Sequence, residues 1–471
     1  MIEARLAQPP RWFLVSMAIG AWAGFVALSP SLASAGLRTA PVVLAAIACW
    51  VFAEPHRWIA AFVAAAVLLP PLPIALGDSG PHPSLLFALL GIFAGALYIR
   101  QWRITPDQFS RALLCLFSAL LASTALAAFY SGEALALQTL ARVLLFGIGV
   151  YVFFYASSVR PAGGAPSLRN LFWLAVASGA IACVDFYYQL PAPAGFGAQF
   201  IWTEAGVYRR AQGIFYEAST LGNFCVFFLV MSAVAFTRSR RVTPISRFGL
   251  VLGSIVFSAA LIFSYSRASI LNLLVALAAL VWLDRARIRW RKAIVLLGIS
   301  LAAGAAASYY FLPDIAAASW ARFSNSVRYF FDYTEPIFSG RFASWRVLLR
   351  FLAEHPWHAV FGIGYKTLPY SDYVGQTVIA DNMYLSMLSE TGVVGLASLV
   401  WLNTAILRAS HRAACNANPH TSFFGTWMFC FWLGQSFQML SADLLTYWRV
   451  LPVYFLVMAW AVRDANQAPA Q

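Results

Sequence analysis

Long apolar runs dominate this chain. Stretches such as LGNFCVFFLVMSAVAF (221–236) and AIVLLGISLAAGAAA (293–307) carry no charged residue, and similar runs recur along nearly all of the 471 residues. A bilayer span needs about 20 such residues, and backbone in hydrocarbon must satisfy its own hydrogen bonds, which favours helices. The spacing predicts spans near 12–29, 39–53, 58–77, 84–99, 110–130, 135–157 and 169–190. A second set is predicted near 217–237, 247–264, 267–283, 293–312, 384–407, 420–440 and 447–463. The expected fold is an all-α, polytopic membrane helical bundle of about 12–14 helices, with a large outer loop domain between the last helices. Four regions follow: N-terminal spans (1–190), spans with short arginine-bearing outer loops (191–312), the large loop (313–380) and C-terminal spans (381–471). With 61% hydrophobic and 11% charged residues, the chain as a whole is not a water-soluble protein.

The net charge of +14 comes almost wholly from arginine, since Lys292 and Lys366 are the only lysines. On a soluble protein this balance would suggest nucleic acid. Here it is first a topology signal, and no nucleic-acid partner is expected. With the N terminus in the cytoplasm and spans alternating, 20 of the 32 basic residues fall in inner segments, densest in RSRRVTPISR (238–247) and DRARIRWRK (284–292). Both termini then lie inside. The other twelve sit outside or at outer helix ends, and ten of those follow residue 200. An outer excess confined to one part of the chain needs a reason other than topology. The six cysteines are scattered without a CxxC pair, so neither a disulfide framework nor a metal site is expected. MIEARLAQPPR leads straight into the first span, so no cleavable signal is expected either.

Arginine matches phosphate oxygens bidentately, and at membrane depth an ionisable group is costly enough to mark a substrate pathway. Arg267, in LIFSYSRASILNLLV (261–275), opens a helix after a tight Ser-Tyr-Ser turn, where free N–H groups add partial positive charge. Snorkelling to outer headgroups is the plainer alternative. Arg209 and Arg210 in VYRRAQGIF, with Arg341 and Arg346 in SGRFASWRVLLR, extend the cluster and suggest a lipid pyrophosphate as ligand. Residues 339–364 read as an amphipathic helix ended by His355-Pro356, then a turn whose Gly362 and Gly364 permit close backbone approach; a surface helix or a lid both fit. In IADNMYLSMLSETGVVGL (379–396), Asp381 and Asn382 precede an apolar helix. Either caps it, or Asp381 takes a proton from an attacking hydroxyl. Glu390 falls at depth, with Gly392 and Gly395 spaced for helix packing. Glu217 in FYEAS opens another outer helix end, as a second candidate base or a dipole-satisfying charge.

Taken in order, RRAQGIFYEASTLGNF, SYSRAS, the long loop with RFASW and EHPWHAVFGIG, and DNMYLSMLSETGVVG resemble the O-antigen ligase and polymerase superfamily of bacterial inner-membrane proteins. The resemblance covers about 200–400; the first 190 residues match only as hydrophobic spans. It implies a metal-independent integral-membrane glycosyltransferase, without cofactor, acting on undecaprenyl-pyrophosphate-linked oligosaccharide at the periplasmic face. Membrane lipid surrounds such an enzyme, and a chain-length regulator or export complex is an expected partner. Arg210 and Arg267 match arginines thought in that family to hold the donor pyrophosphate. The ligases resemble a pattern of His, then Asn, Ser or Gln, nine residues, then GxxG. Here Asn382 and Gly392-Val-Val-Gly395 fit, but Asp381 stands at the histidine position. That change, with a Glu-Ala-Ser where polymerases often carry Glu-Pro-Ser, favours a polymerase over a ligase.

On this view Asp381 is the first candidate base and Glu217 the second. Trp345, His355, His358, Asn382 and Tyr384 are candidates for meeting the sugar or acceptor, His355 being more naturally a helix-ending residue. The rivals are a ligase acting on lipid A core or protein, a flippase or exporter of lipid-linked sugars, and a scaffold in an export complex. Flippases tend to show internal repeats and mid-membrane charges; neither is evident here.

Overall fold

The computed structural model describes residues 11–54, 56–72, 81–102, 107–158, 167–190, 197–203, 206–238, 242–285 and 341–465, with isolated positions between 310 and 324. The expected span at 293–312 and the first part of the large loop, 313–340, lie almost wholly outside these residues. The described chain is all-α apart from one short hairpin. Its helices are α1 (Arg11–Ala27), α2 (Leu32–Ala53), α3 (Arg57–Leu68), α4 (Ser84–Leu97), α5 (Gln108–Ser131), α6 (Glu133–Ser158) and α7 (Leu168–Tyr188). They continue with α8 (Ala218–Thr237), α9 (Arg247–Phe263), α10 (Arg267–Asp284), α11 (Arg341–Glu354), α12 (Pro356–Phe361), α13 (Met383–Ala414), α14 (Pro419–Gln438) and α15 (Leu451–Ala465). By length and composition α5, α6, α7, α8, α10 and α13 can each cross a membrane. The protein is a polytopic helical membrane protein.

Helix ends follow local chemistry. Ser246, Ser266 and Asn382 cap α9, α10 and α13 by accepting from Gly249, Ser269 and Leu385 N–H. α3 stops at Leu68 rather than running to 77, because Pro70 and Pro71 supply no donors and force extended backbone. Between α7 and α8, β1 (Phe200–Thr203) pairs antiparallel with β2 (Gly206–Arg209), Phe200 opposite Arg209, an element the apolar pattern does not announce.

The bundle is organised around α8. Of its most apolar stretch 78% is buried, against 33% for α5 and α10. Phe227 of α8 packs on Trp427 of α14 and Tyr454 of α15, ring centroids 4.4 Å apart in both cases. Just above this aromatic layer lies a polar one: Asn223 and Asn272 each donate to Gln435 and Gln438, and Tyr454 donates to Asn223 at 2.6 Å. Such a network ties α8, α10, α14 and α15 in one register, since each amide left unpaired in the core would cost about 1–3 kcal/mol.

Two backbone features position the outer end. Gly392 (φ 67°, ψ −170°) breaks α13, and the carbonyls of Ser389 and Glu390 freed by the break accept the N–H groups of Ile363 (3.2 Å) and Gly364 (2.8 Å). The turn after α12 is thereby threaded against the broken helix. At Gly362 and Gly392 a side chain would run into backbone of the facing segment, so both approaches require glycine. α11 and residues 363–380 share a small apolar core of Leu348, Phe351, Leu352, Ile363, Leu368 and Val378. Arg449, one of the twelve basic residues expected outside or at outer helix ends, is buried and donates to the carbonyls of Ala66, Leu69 and Ile214 at 2.6–3.1 Å. Its role is to close the end of α3, not to meet a ligand.

Candidate active site

A cavity of about 350 Å³ opens where the first turns of α8 and α13 meet α11 and the loop before α15. Arg210, Glu217, Arg341, Asp381, Lys366, Glu390, Asp443 and Tyr447 line it. Four of these, Arg210, Glu217, Arg341 and Asp381, are residues the sequence singles out, gathered from segments far apart in the chain.

Strained backbone stands at or beside several of the cavity residues. Tyr216, Tyr265, Lys366 and Asp381 all adopt positive φ, between 45° and 58°, a conformation non-glycine residues hold only when surrounding structure imposes it. Tyr216 follows a short 3-10 turn and delivers Glu217 in extended conformation at the start of α8. Its carboxylate accepts from Thr220 Oγ1 at 2.5 Å. Tyr265 turns the chain so that Arg267 begins α10, and Arg210 Nε donates to the Ser264 carbonyl in that same turn at 2.8 Å. Arg210 and the SYSR turn are thus one unit. Arg210 enters no ion pair among the described residues. Burial lowers its pKa; Arg267 and Arg341 lie close enough to push the same way, while Tyr447 and Glu217 favour its charge.

On the opposite wall Arg341 Nε meets Asp381 Oδ2 at 3.2 Å, and Trp345 Nε1 donates to the Ala380 carbonyl at 2.6 Å. α11 is therefore fastened to the residues just before α13. The cap of α13 falls to Asn382, and Asp381 is left to face Arg341. Lys366 forms a half-buried ion pair with Asp443. Burial opposes its charge, yet Asp443 and Glu390 together raise its pKa above the ordinary lysine value. Burial also raises the pKa of Glu217, with Asp443 adding to the rise and Thr220, Lys366 and Arg210 opposing it. Asp381 and Asp443 each have a cationic partner; Glu217 has none among the described residues.

The remaining candidates lie elsewhere. Arg209 is turned away into an ion pair with Asp185 (3.4 Å) and a bond to the Leu190 carbonyl (2.9 Å). Arg346 and His355 line a second, larger groove on the other side of α11. His358 is packed between Phe351 and Tyr130, where desolvation lowers its pKa. Tyr384 donates to the Ser436 carbonyl inside the bundle at 2.9 Å. Lys366, Asp443 and Tyr447 are cavity residues that sequence reasoning does not single out as site residues. Lys366 and Asp443 are 77 positions apart, and the usable signal was charge itself: one of two lysines, and an aspartate in SADLL between two apolar spans.

Among comparisons with known proteins, residues 248–400 match the family model described as O-antigen ligase. This stretch, about a third of the chain, is similar to that family. The match supports a relation of this part of the chain to the O-antigen ligase and polymerase superfamily. No curated protein matches the chain. The matched stretch runs from α9 to the middle of α13, so it contains Arg267, Arg341, Lys366, Asp381 and Glu390. Arg210 and Glu217 precede it and Asp443 follows it, so the cavity is completed by segments on both sides of the match.

Proposed function

We propose that this protein is a polysaccharide polymerase of the bacterial inner membrane. It moves a growing glycan from undecaprenyl pyrophosphate to a hydroxyl of another lipid-linked repeat unit at the periplasmic face. The observation that carries this reading is the convergence of Arg210 and Arg341 with unpaired Glu217 in one cavity, beside Arg267 at the start of α10.

In the reaction the acceptor oxygen attacks the anomeric carbon, the bond from that carbon to the pyrophosphate oxygen breaks, and the acceptor proton goes to a carboxylate. The leaving group needs its growing charge neutralised. Arg210, Arg267 and Arg341 are suited to that, and one well-aimed donor in a water-poor site is worth about 3–4 kcal/mol. Glu217 is the better base of the two carboxylates, since a desolvated carboxylate with raised pKa is the stronger proton acceptor once ionised. Asp381, bonded to Arg341, holds that guanidinium in position. The aspartate standing where ligases carry histidine favours polymerase chemistry. A ligase is the second reading, favoured by the description of the matching family.

The test is product analysis in cells lacking the protein, complemented with wild type, Arg267→Ala or Glu217→Gln at matched membrane levels. A polymerase predicts that null and Arg267→Ala cells display single repeat units on lipid A core. Polymer stranded on its undecaprenyl carrier would instead make the protein a ligase. Repeat units held at the cytoplasmic face would make it a flippase.

A further inference from the structure

α11 separates two cavities of different character. Arg341 and Trp345 face the smaller one through Asp381 and Ala380. At 3.6 residues per turn, Arg346 and Arg350 stand roughly 140° and 180° around the helix from Arg341, and roughly 40° from each other. They line a groove of about 790 Å³, more than twice the 350 Å³ of the catalytic cavity and within the size range of ligand sites.

Charged and amide side chains line the groove beside Val347, Val374 and two aromatic rings. Phe351 is 7% exposed and stacks on His358 at 5.3 Å, while Tyr373, 40% exposed, stands edge-on to Phe351 at 6.2 Å. The Tyr373 hydroxyl is held by His358 Nε2 at 3.2 Å, which fixes the ring while leaving part of its surface open. Gln376 adds an amide, and beside it Gly375 leaves open space where a side chain would stand. Neither Arg346 nor Arg350 has an ion pair or hydrogen bond among the described residues, although Glu354 lies one turn beyond Arg350 and also lines the groove. Two unpaired guanidinium forks one turn apart suit spaced oxyanions, and a fixed aromatic ring suits the apolar face of a sugar. The apolar surface suited to lipid is on α12, where Trp357, Val360 and Phe361 are exposed.

We propose that this groove binds an anionic glycan, the acceptor or growing chain, and that the polymer made by this enzyme carries carboxylate or phosphate groups. The identity of the glycan as substrate rests on the polymerase reading; its binding in the groove does not.

The test uses full-length protein in nanodiscs of phosphatidylcholine. A fluorescent galacturonate octasaccharide is titrated against wild type and the Arg346→Gln/Arg350→Gln double variant, with maltooctaose as the uncharged control. Wild type is expected to favour the acidic probe, and the double variant to weaken its binding about tenfold or more, as does raised salt. Arg267→Ala protein should bind the probe like wild type, so failure of the transfer reaction and failure of the groove are read separately. Equal binding of the two probes, or no effect of the double substitution, overturns the proposal. So does a variant that keeps galacturonate binding but loses attachment to phosphatidylglycerol vesicles, which would make the arginines a lipid contact.

Discussion

Glu217 and Asp381 line one cavity, yet their surroundings differ. Asp381 is bonded to a guanidinium at 3.2 Å; Glu217 accepts from one hydroxyl, and desolvation raises its pKa. A base must be ionised to act, so transfer by reconstituted enzyme should climb with pH through a window above the ordinary glutamate value of about 4.3. Glu217→Gln should remove that limb and lower the rate about 100-fold or more. A raised pKa means the folded protein prefers protonated Glu217. The stability this gives is full at acid pH and fades as pH rises through the raised value. Glu217→Gln should therefore melt above wild type at neutral pH, with the gain shrinking on acidification; thermal unfolding in detergent at pH 4 and pH 7.5 checks it. A gain that grows with acid would contradict the assignment.

At the scale of elements, the break in α13 is the device that shapes the site. An unbroken helix would keep the Ser389 and Glu390 carbonyls for itself, and the 362–364 turn would have nothing to dock on. Lys366 would then lose its place opposite Asp443. Gly392→Ala puts a side chain into a backbone region nearly confined to glycine and against the Val360 carbonyl. The conformational strain alone is worth about 1–3 kcal/mol. The expected outcome is a lower melting temperature and loss of transfer together, whereas Gly375→Ala, with open space at its Cβ though also at positive φ, should cost less. Equal melting of the two variants would show that the break is not under this constraint. Much of this element was legible: the Gly-x-Gly after α12 announces close approach, and Asp-Asn announces a helix start. That Gly392 breaks the helix instead of packing it was not legible, because a glycine allows both and only the facing segment selects one.

At the scale of the whole molecule, the basic residues carry orientation. With most arginines in alternate loops, both termini are expected in the cytoplasm and the cavity in the periplasm. Reporter fusions read this directly: a C-terminal green fluorescent protein should glow, and alkaline phosphatase inserted after Gly375 should be active. The opposite pair of results would invert the topology and place the cavity on the wrong side for a periplasmic transfer.

Sequence by itself determined the class of fold and the location of the spans. Each of the thirteen spans predicted outside 293–312 overlaps a helix, although α3 ends at Leu68 and six of the described helices are long and apolar enough to cross a membrane, because an apolar run of such length has hardly any other low-energy structure. It also singled out arginines and carboxylates that the fold gathers, since a charge beside hydrocarbon is conspicuous in one dimension. What each charge does was decided only in three dimensions. Arg449, Arg209 and Arg210 look alike in sequence, yet one closes α3 on backbone carbonyls, one pairs with Asp185, and one enters the cavity without an ionic partner. The groove behind α11 was likewise hidden until helix phase set Arg346 and Arg350 apart from Arg341. A side chain's chemistry is fixed by its type, but its role depends on what the fold leaves within hydrogen-bonding distance.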